Sequence, residues 1–173
     1  SVQEAWRRGP HPGKQIFCVR QHNIVFGMMN IYADRIAQLR EMMASNGWDA
    51  VVLYGTDPHS SEYPAPRWKQ VEWLTGFTGE AGDLVVTHDH AGLWTDSRYF
   101  IQAEEQLKGT EFQLMKQKVD GTPTIREWIS GELTDMRDKE IGVDGSVTSV
   151  ADVEQLKEEL KRRGGITVRT NFD

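Results

Sequence analysis

The side chains in this sequence best suited to hold a metal ion lie together in one short segment, His88-Asp89-His90. On a β-strand, residues two apart point to the same face, so the two imidazoles could in principle meet one ion. The segment nevertheless joins two apolar stretches as a tight turn would, and the sequence identifies no third or fourth ligand for a closed site. We therefore expect a solvated turn here rather than a metal site.

Gly76, Gly79 and Gly82 form the pattern G-x-x-G-x-x-G, which could be taken for a phosphate cradle. A dinucleotide site needs G-x-G-x-x-G between a strand and a helix, whereas here a strand follows the glycines. Close approach of the backbone and positive φ angles explain these glycines better than phosphate binding does. We expect a packed turn.

Arg98 is the cationic side chain that we single out. Thr95 ends an apolar stretch and Asp96 can cap the helix that follows, which places Arg98 in the first helical turn. The helix dipole disfavours a cation at that position by about 0.3–1 kcal/mol. The residues alone allow an ordinary surface arginine, or one paired with Asp96 or Glu62.

The elements that must position these residues follow from the hydrophobic pattern. From Ala33 a helical period places Ile36, Leu39 and Met43 on one face, and the apolar run 50–54 predicts a buried strand. Strands over 83–87 and 91–95 form a hairpin. Beyond them the pattern predicts a helix capped by Asp96, a strand over 112–116, a helix opened by Thr122-Pro123, a strand over 141–143, a helix from about 149 to 163 and a last strand over 166–168.

This order of elements predicts an α/β fold, in which helices cover both faces of a mixed sheet of about six strands. Trp73 is expected to pack in the interior, as most tryptophans do. Residues 1–30 differ from the rest: they are rich in turn formers and lack a period. We expect an irregular N-terminal extension there, native or artefactual, rather than a functional arm, and one domain over residues 31–173.

Three motifs resemble a known family: SEY at Ser61–Tyr63, GFTGEAG at Gly76–Gly82 and WTDSRYF at Trp94–Phe100. In this order they resemble the N-terminal creatinase/prolidase-type domain of Xaa-Pro aminopeptidases. The resemblance implies an RNase H-like arrangement without RNase chemistry. Ser97 stands where the family's motif usually has glycine, which should leave the helix start intact.

The same resemblance implies a function for the whole protein rather than for this chain. A catalytic domain with two divalent metal ions, Mn or Zn, would follow Asp173 and hydrolyse peptides with proline in the second position. The present domain would be catalytically silent, would shape the substrate channel and would contribute to contacts in a homo-oligomer, such as a dimer. The arginine that matches Arg98 faces that channel, and a guanidinium suits a peptide carboxylate or carbonyl.

Two alternatives stay open. Aminopeptidase-like domains without activity serve as interaction modules in a histone chaperone, and the N-terminal domain of a creatinase or prolidase proper shares this architecture. The combination of SEY with GFTG favours the aminopeptidase.

The amino-acid composition limits the kinds of partner and compartment that we expect for this chain. The 173 residues carry a net charge of −6, which disfavours nucleic acid and anionic membranes as partners. No apolar run approaches the roughly 20 residues that a membrane span needs. Cys18 is the only cysteine, so no internal disulfide can form and a reducing compartment is expected, with the cytoplasm as the default.

Overall fold

The computed structural model describes residues 22–55, 69–133, 138–143, 148, 150–163 and 167–170. For residues 22–30, 163 and 167–170 the description covers the backbone alone. The elements, in chain order, are α1 His22–Asn46, β1 Ala50–Leu53, α2 Gln70–Thr75, β2 Asp83–Thr87, β3 Ala91–Thr95, a 3₁₀ turn Ser97–Tyr99, α3 Phe100–Gln106, β4 Phe112–Lys116, α4 Ile125–Glu132, β5 Glu140–Val143, α5 Val150–Arg163 and β6 Thr167–Thr170.

The strands form one mixed sheet of six in the order β4-β3-β2-β1-β5-β6. β2 is antiparallel to both of its neighbours, whereas the pairs β1/β5, β3/β4 and β5/β6 are parallel. Five strands therefore run in one direction and β2 alone runs in the other. The carboxyl ends of the five lie at the same edge of the sheet as the start of β2. We call this the carboxyl edge.

Helices cover both faces of the sheet, as the sequence predicts. On one face, α1, α2 and α3 pack their buried side chains, which include Ile36, Leu74 and Ala103, against Val51 and Leu53 of β1. On the other face, α4 and α5 pack against the alternate side chains of the same strand, and their buried residues are Trp128, Ile129, Val153, Leu156 and Leu160. β1 is buried along its whole length because both of its faces meet helices.

The N-terminal boundary of α1 corrects one expectation. The helix begins at His22, nine residues before Ile31, so irregular structure over residues 22–30 was a wrong prediction. The predicted periodic residues Ile36, Leu39 and Met43 are buried as expected. Residues 1–21 lie outside the described part of the chain, so the rest of that prediction and the domain boundary stay predictions.

Three further differences concern the presence of α2, the start of α4 and the position of one side chain. α2 was not predicted. α4 is capped by Thr124, whose side chain and Glu127 form a reciprocal capping box, instead of starting at Thr122-Pro123. Trp73, expected inside, is 38% exposed, and the guanidinium of Arg35 stacks 4.2 Å from the centre of its ring. A planar cation over an indole face is a favourable surface contact, which accounts for the partly exposed position of Trp73.

Candidate functional site

Arg98 lies just beyond β3 at the carboxyl edge, in the turn that the sequence predicts. The carboxylate of Asp96 accepts a hydrogen bond from the backbone N–H of Arg98 at 3.0 Å and so caps the 3₁₀ turn that leads into α3. Upstream, the hydroxyl of Thr95 donates to the carbonyl of Ala81, and the carbonyl of Thr95 accepts from the N–H of Gln117 at 3.0 Å. The strand end is thus tied to both of its flanking segments.

The guanidinium of Arg98 pairs with the carboxylate of the same Asp96 through two contacts. Nε lies 3.0 Å from Oδ1, and Nη2 lies 2.8 Å from Oδ2. Of the alternatives left open by the sequence, pairing with Asp96 is therefore the one observed. Hydrogen bonds from the guanidinium lower the pKa of Asp96, and the same contacts raise the pKa of Arg98.

The ion pair orients Arg98 without burying it. Its side chain is 67% exposed, and its guanidinium carbon lies 5.2 Å from the centre of the Tyr99 ring. Two of its five N–H donors are occupied by Asp96, and a planar fork of this kind can still present others to a carboxylate or a carbonyl. The arrangement is suited to receive an anionic or carbonyl-bearing ligand from solvent.

The glycine turn 76–82 packs around one phenylalanine next to this arginine. Phe77 is 1% exposed, and its ring meets that of Tyr99 edge-on at a centroid distance of 6.2 Å. A Cβ at Gly79 would lie 2.2 Å from Cζ of Phe77, and a Cβ at Gly82 would lie 2.9 Å from its Cε1. Gly76 ends α2 with φ of 77°. Close packing and a left-handed turn account for the glycine spacing, which supports the expected packed turn.

Side-chain amides fix the same turn to α3. Gln106 accepts from the N–H of Thr78 at 3.0 Å, and the Thr78 hydroxyl accepts from both Gln102 and Gln106 at 2.9 Å. The hydroxyl of Tyr99 donates to Glu80 at 3.3 Å. We call residues 76–82 and 95–99 together the arginine rim. The contact between Tyr99 and Glu80 joins its two segments, and the contacts of Thr78 fasten the glycine turn to α3, which follows Arg98.

The histidine segment lies elsewhere. Because it joins the end of β2 to the start of β3, it sits at the edge of the sheet opposite to the arginine rim. Nε2 of His88 lies 3.0 Å from the carbonyl of Trp48, whereas Nδ1 of His90 lies 2.6 Å from Glu132. The two rings are thus engaged with different partners. Among the described residues there is no group of three or more His, Cys, Asp or Glu that could hold a metal ion.

A second feature of the carboxyl edge was not predicted. A cleft of about 410 Å³ opens on the face of the sheet that α4 and α5 cover. Its walls combine the ring of Trp94, the hydroxyl of Tyr54 and the charged groups of Asp83, Asp152 and Arg126. These residues are far apart in the sequence, and only Asp83, a charge beginning an otherwise apolar strand, could have drawn attention to it.

Asp83 and Tyr54 are both perturbed by this environment. Burial raises the pKa of Asp83 to about 6, and the negative charge of Asp152 adds to this, although a hydrogen bond from the N–H of Gly55 at 3.2 Å acts in the opposite direction. Burial also raises the pKa of Tyr54 to about 12, with further contributions from Asp83 and Asp152. We call this feature the aspartate cleft.

The remaining residues of interest lie outside the described part of the chain. They are Cys18, Glu62 and the whole SEY motif, Ser61–Tyr63. No helix in the described ranges combines the length and apolar character that crossing a membrane requires.

Comparison with known proteins decides the family. The model of the Creatinase/Prolidase N-terminal domain matches residues 35–168, which is most of the chain and contains both the arginine rim and the aspartate cleft. The chain belongs to this family. The resemblance stated from the three motifs is confirmed, and so is the α/β fold with its mixed sheet.

Relatives of this creatinase/prolidase N-terminal domain are similar over one part of their length. A probable Xaa-Pro aminopeptidase P from Pyrenophora teres f. teres is 40% identical over 131 residues, which are 76% of this chain and 20% of that protein. One from Botryotinia fuckeliana is 41% identical over 132 residues, again 76% of this chain and 20% of that protein. The chain thus spans about a fifth of the length of the curated relatives it matches.

Comparison with solved structures shows the same fold. An X-prolyl aminopeptidase from Caenorhabditis elegans, described as a cytosolic enzyme with a di-nuclear active site, superposes with a TM-score of 0.73 at 32% identity, covering 80% of this chain and 24% of that one. The N-terminal creatinase/prolidase-like domain of a metallopeptidase from Corynebacterium diphtheriae superposes at 0.54 and 21% identity, covering 81% of this chain and 97% of that one. The second likeness concerns the fold alone.

Proposed function

We propose that this creatinase/prolidase N-terminal domain is the non-catalytic part of a Xaa-Pro aminopeptidase and that its arginine rim forms part of the substrate channel. The supporting observation is the placement of Arg98. It is exposed, and it is oriented by two contacts to Asp96. The neighbouring Tyr99 joins its segment to the glycine turn through contacts with Phe77 and Glu80. A group that must meet a ligand arriving from solvent needs this combination of exposure and fixed position.

In this proposal the chemistry takes place in another domain of the whole protein. Two divalent metal ions, Mn or Zn, would lie there and activate water for attack on the bond before proline. The described residues offer no ligand set for such a centre, so they do not fit it, and no catalytic step is assigned to them. Arg98 would bind a carbonyl or the terminal carboxylate of a peptide with proline in the second position.

Localisation and assembly belong to the same proposal. We propose a cytoplasmic enzyme, since the lone cysteine suits a reducing compartment and a similar enzyme from C. elegans is described as cytosolic. Homo-oligomerisation, with this domain contributing to the contacts, rests on the family resemblance. Binding of nucleic acid or of a membrane is not part of the proposal, because the net charge is −6.

The experiment compares the 173-residue chain with a longer protein that contains it together with the downstream domain. Each is incubated with a peptide whose second residue is proline, with and without Mn²⁺ and Zn²⁺, and release of the first residue is measured. We expect metal-dependent release by the longer protein and none by the chain alone.

A peptide with alanine in place of proline serves as the control substrate and should be cleaved far more slowly. Release by the 173-residue chain alone would contradict the non-catalytic role. A longer protein that binds no metal and cleaves nothing would favour the interaction module instead.

A further inference from the structure

We infer that Asp96 and Glu80 make Arg98 selective for a backbone carbonyl of a bound peptide over a free carboxylate. The peptide therefore continues beyond Arg98, and its carboxyl terminus lies elsewhere. This selectivity rests on the proposed function, because Arg98 must meet the substrate for it to matter. It decides between the two groups that a guanidinium is suited to bind.

Asp96 occupies one side of the guanidinium. Its Oδ1 accepts a hydrogen bond from Nε of Arg98 at 3.0 Å, and its Oδ2 accepts one from Nη2 at 2.8 Å. Two parallel hydrogen bonds of this kind are the mode in which arginine binds a carboxylate most strongly. Asp96 thus takes the place that the carboxylate of a ligand would occupy on this side, and it leaves the other N–H donors of Arg98 for a further acceptor.

Glu80 is a second carboxylate beside the same arginine. It accepts a hydrogen bond from the hydroxyl of Tyr99 at 3.3 Å, and the centre of the Tyr99 ring lies 5.2 Å from the guanidinium carbon. Hydrogen bonds to Asp96 and its charge raise the pKa of Arg98, and the charge of Glu80 adds to this effect. A ligand at Arg98 therefore meets the negative charge of both carboxylates.

One further cation acts on the pair. Hydrogen bonds from Arg98 lower the pKa of Asp96, and the charge of Lys118 lowers it further, so Asp96 is a carboxylate at neutral pH. Among the described groups that act on this ion pair, Lys118 and Glu80 have opposite charges and offset each other. The ligand therefore meets a guanidinium whose charge is compensated by Asp96.

A compensated guanidinium discriminates between the two kinds of oxygen. Attraction of a ligand carboxylate to Arg98 is opposed by its repulsion from Asp96 and Glu80. A neutral carbonyl oxygen meets no such repulsion and still accepts hydrogen bonds from the free N–H donors. Because Arg98 is exposed, solvent screens these charges, and each carboxylate should change the selectivity by only a few-fold.

The test uses the longer, metal-loaded protein and pairs of peptides whose second residue is proline. The two members of a pair differ only at the carboxyl terminus, which is a carboxylate in one and an amide in the other. Pairs of three, four and five residues place this terminus at successive distances from the cleaved bond. The measured quantity is the kcat/KM for the amide divided by that for the acid, which we call the amide-to-acid ratio.

Asp96→Asn and Glu80→Gln are the decisive variants, because each removes a negative charge and keeps an oxygen that can accept the same backbone or hydroxyl hydrogen bond. We expect each variant to lower the amide-to-acid ratio by about threefold or more for at least one peptide length. Asp89→Asn, on the exposed turn at the opposite edge of the sheet, is the matched control with the same change in net charge and should leave the ratio unchanged.

A second comparison tests whether the effect acts through the guanidinium. In an Arg98→Ala background, Asp96→Asn should change the amide-to-acid ratio by less than about twofold, because no guanidinium remains to hold the ligand. A variant that only destabilised the fold would lower the activity on both peptides and leave their ratio unchanged.

The results separate this selectivity from the proposed function. An amide-to-acid ratio that neither Asp96→Asn nor Glu80→Gln changes at any peptide length would overturn the inference, and so would an equal response to Asp89→Asn. In both cases the longer protein still cleaves Xaa-Pro peptides, and the proposed function stands. A longer protein without metal-dependent cleavage, or an unchanged kcat/KM in Arg98→Ala, would instead contradict the proposed function, and the selectivity would fall with it.

Discussion

Asp96 and Asp83 lie at the same edge of the sheet, one just after β3 and the other at the start of β2, and their carboxyl groups meet opposite surroundings. Asp96 accepts hydrogen bonds from the backbone and the guanidinium of Arg98, and these lower its pKa. Asp83 is enclosed next to a second carboxylate, and burial raises its pKa to about 6. One residue type is thus stabilised as an anion in one region and destabilised in the other.

The two regions differ in how the charge of the aspartate is compensated. In the arginine rim, Arg98 is paired with Asp96 and remains exposed to solvent, and Phe77 fills the glycine turn. In the aspartate cleft, the carboxyl group of Asp83 makes no ion pair with any residue that the structure describes, and it borders a cavity of about 410 Å³. The rim thus stabilises its aspartate as an anion, whereas the cleft stabilises the protonated form of Asp83.

Tight packing of the rim predicts the largest effect on stability. In Gly79→Ala the new methyl group would lie 2.2 Å from Cζ of Phe77, a ring that is also confined by Gly82. We expect the free energy of unfolding to fall by about 2 kcal/mol, as for other overpacked cores. Chemical denaturation followed by tryptophan fluorescence measures this change.

Gly131→Ala is the matched control, because a Cβ at this position of α4 would meet nothing within 4 Å. Alanine is the better helix former by up to about 1 kcal/mol, so this variant should be as stable as the wild type or more so. Equal stability of the two variants would mean that the turn around Phe77 is loosely packed.

Removing the charge of Asp83 should have a smaller effect on stability and one of the opposite sign, because the variant should be more stable than the wild type. Because the folded-state pKa of Asp83 is raised to about 6, above an unfolded value of about 3.9, ionising this group destabilises the folded protein. Its contribution to stability is fully present below pH 4 and is lost as pH rises through 6. Asp83→Asn keeps an acceptor for Gly55 and should therefore be more stable than the wild type at pH 7.5, by about 1–2 kcal/mol.

The pH dependence of that difference separates charge from shape. Melting temperatures of Asp83→Asn and the wild type should nearly coincide at pH 4 and diverge between pH 4 and 7, while Asp89→Asn should follow the wild type throughout. An Asp83→Asn variant that is less stable than the wild type at pH 7.5 would contradict the opposed environments of the two aspartates.

Removing the cap at Asp96 should have a smaller effect on the stability of the fold. Asp96→Ala removes the acceptor for the N–H of Arg98 as well as the ion pair and should lower stability by about 1 kcal/mol. Asp96→Asn keeps the cap and loses only the exposed pair, so it should lose less than half as much, because solvent screens that pair. Denaturation at pH 7.5 distinguishes them; equal losses would assign the stability to the ion pair.

The sequence predicted the arginine rim well because its determinants are local. Asp96 precedes a helix that it caps, and the glycines flank the phenylalanine that they accommodate, so short-range pattern was sufficient. The periodic residues of α1, such as Ile36 and Leu39, were equally clear. α2 was missed because it is six residues long and has no side-chain cap, and the start of α1 was missed because residues 22–30 follow no apolar period.

The aspartate cleft could not be predicted for the opposite reason. Tyr54, Asp83 and Asp152 are separated by 29 and 69 residues, and the strand order alone brings them to one place. Sequence patterns predicted the strands themselves, but the order of the strands in the sheet depends on how distant segments pair. The perturbed pKa of Asp83 arises from that pairing and leaves no local signal.

The placement of Arg98 is tested most directly by steady-state kinetics in the longer, metal-loaded protein. Arg98→Ala is compared with Arg162→Ala, another exposed arginine, which lies on α5 and approaches its helix neighbour Glu158 only to 3.9 Å. We predict that Arg98→Ala lowers kcat/KM for a Xaa-Pro peptide at least about tenfold while the Tm stays within about 2 °C of the wild type, and that Arg162→Ala changes neither. An unchanged kcat/KM together with a lower Tm in Arg98→Ala would show that this arginine only stabilises the fold, and would contradict the account.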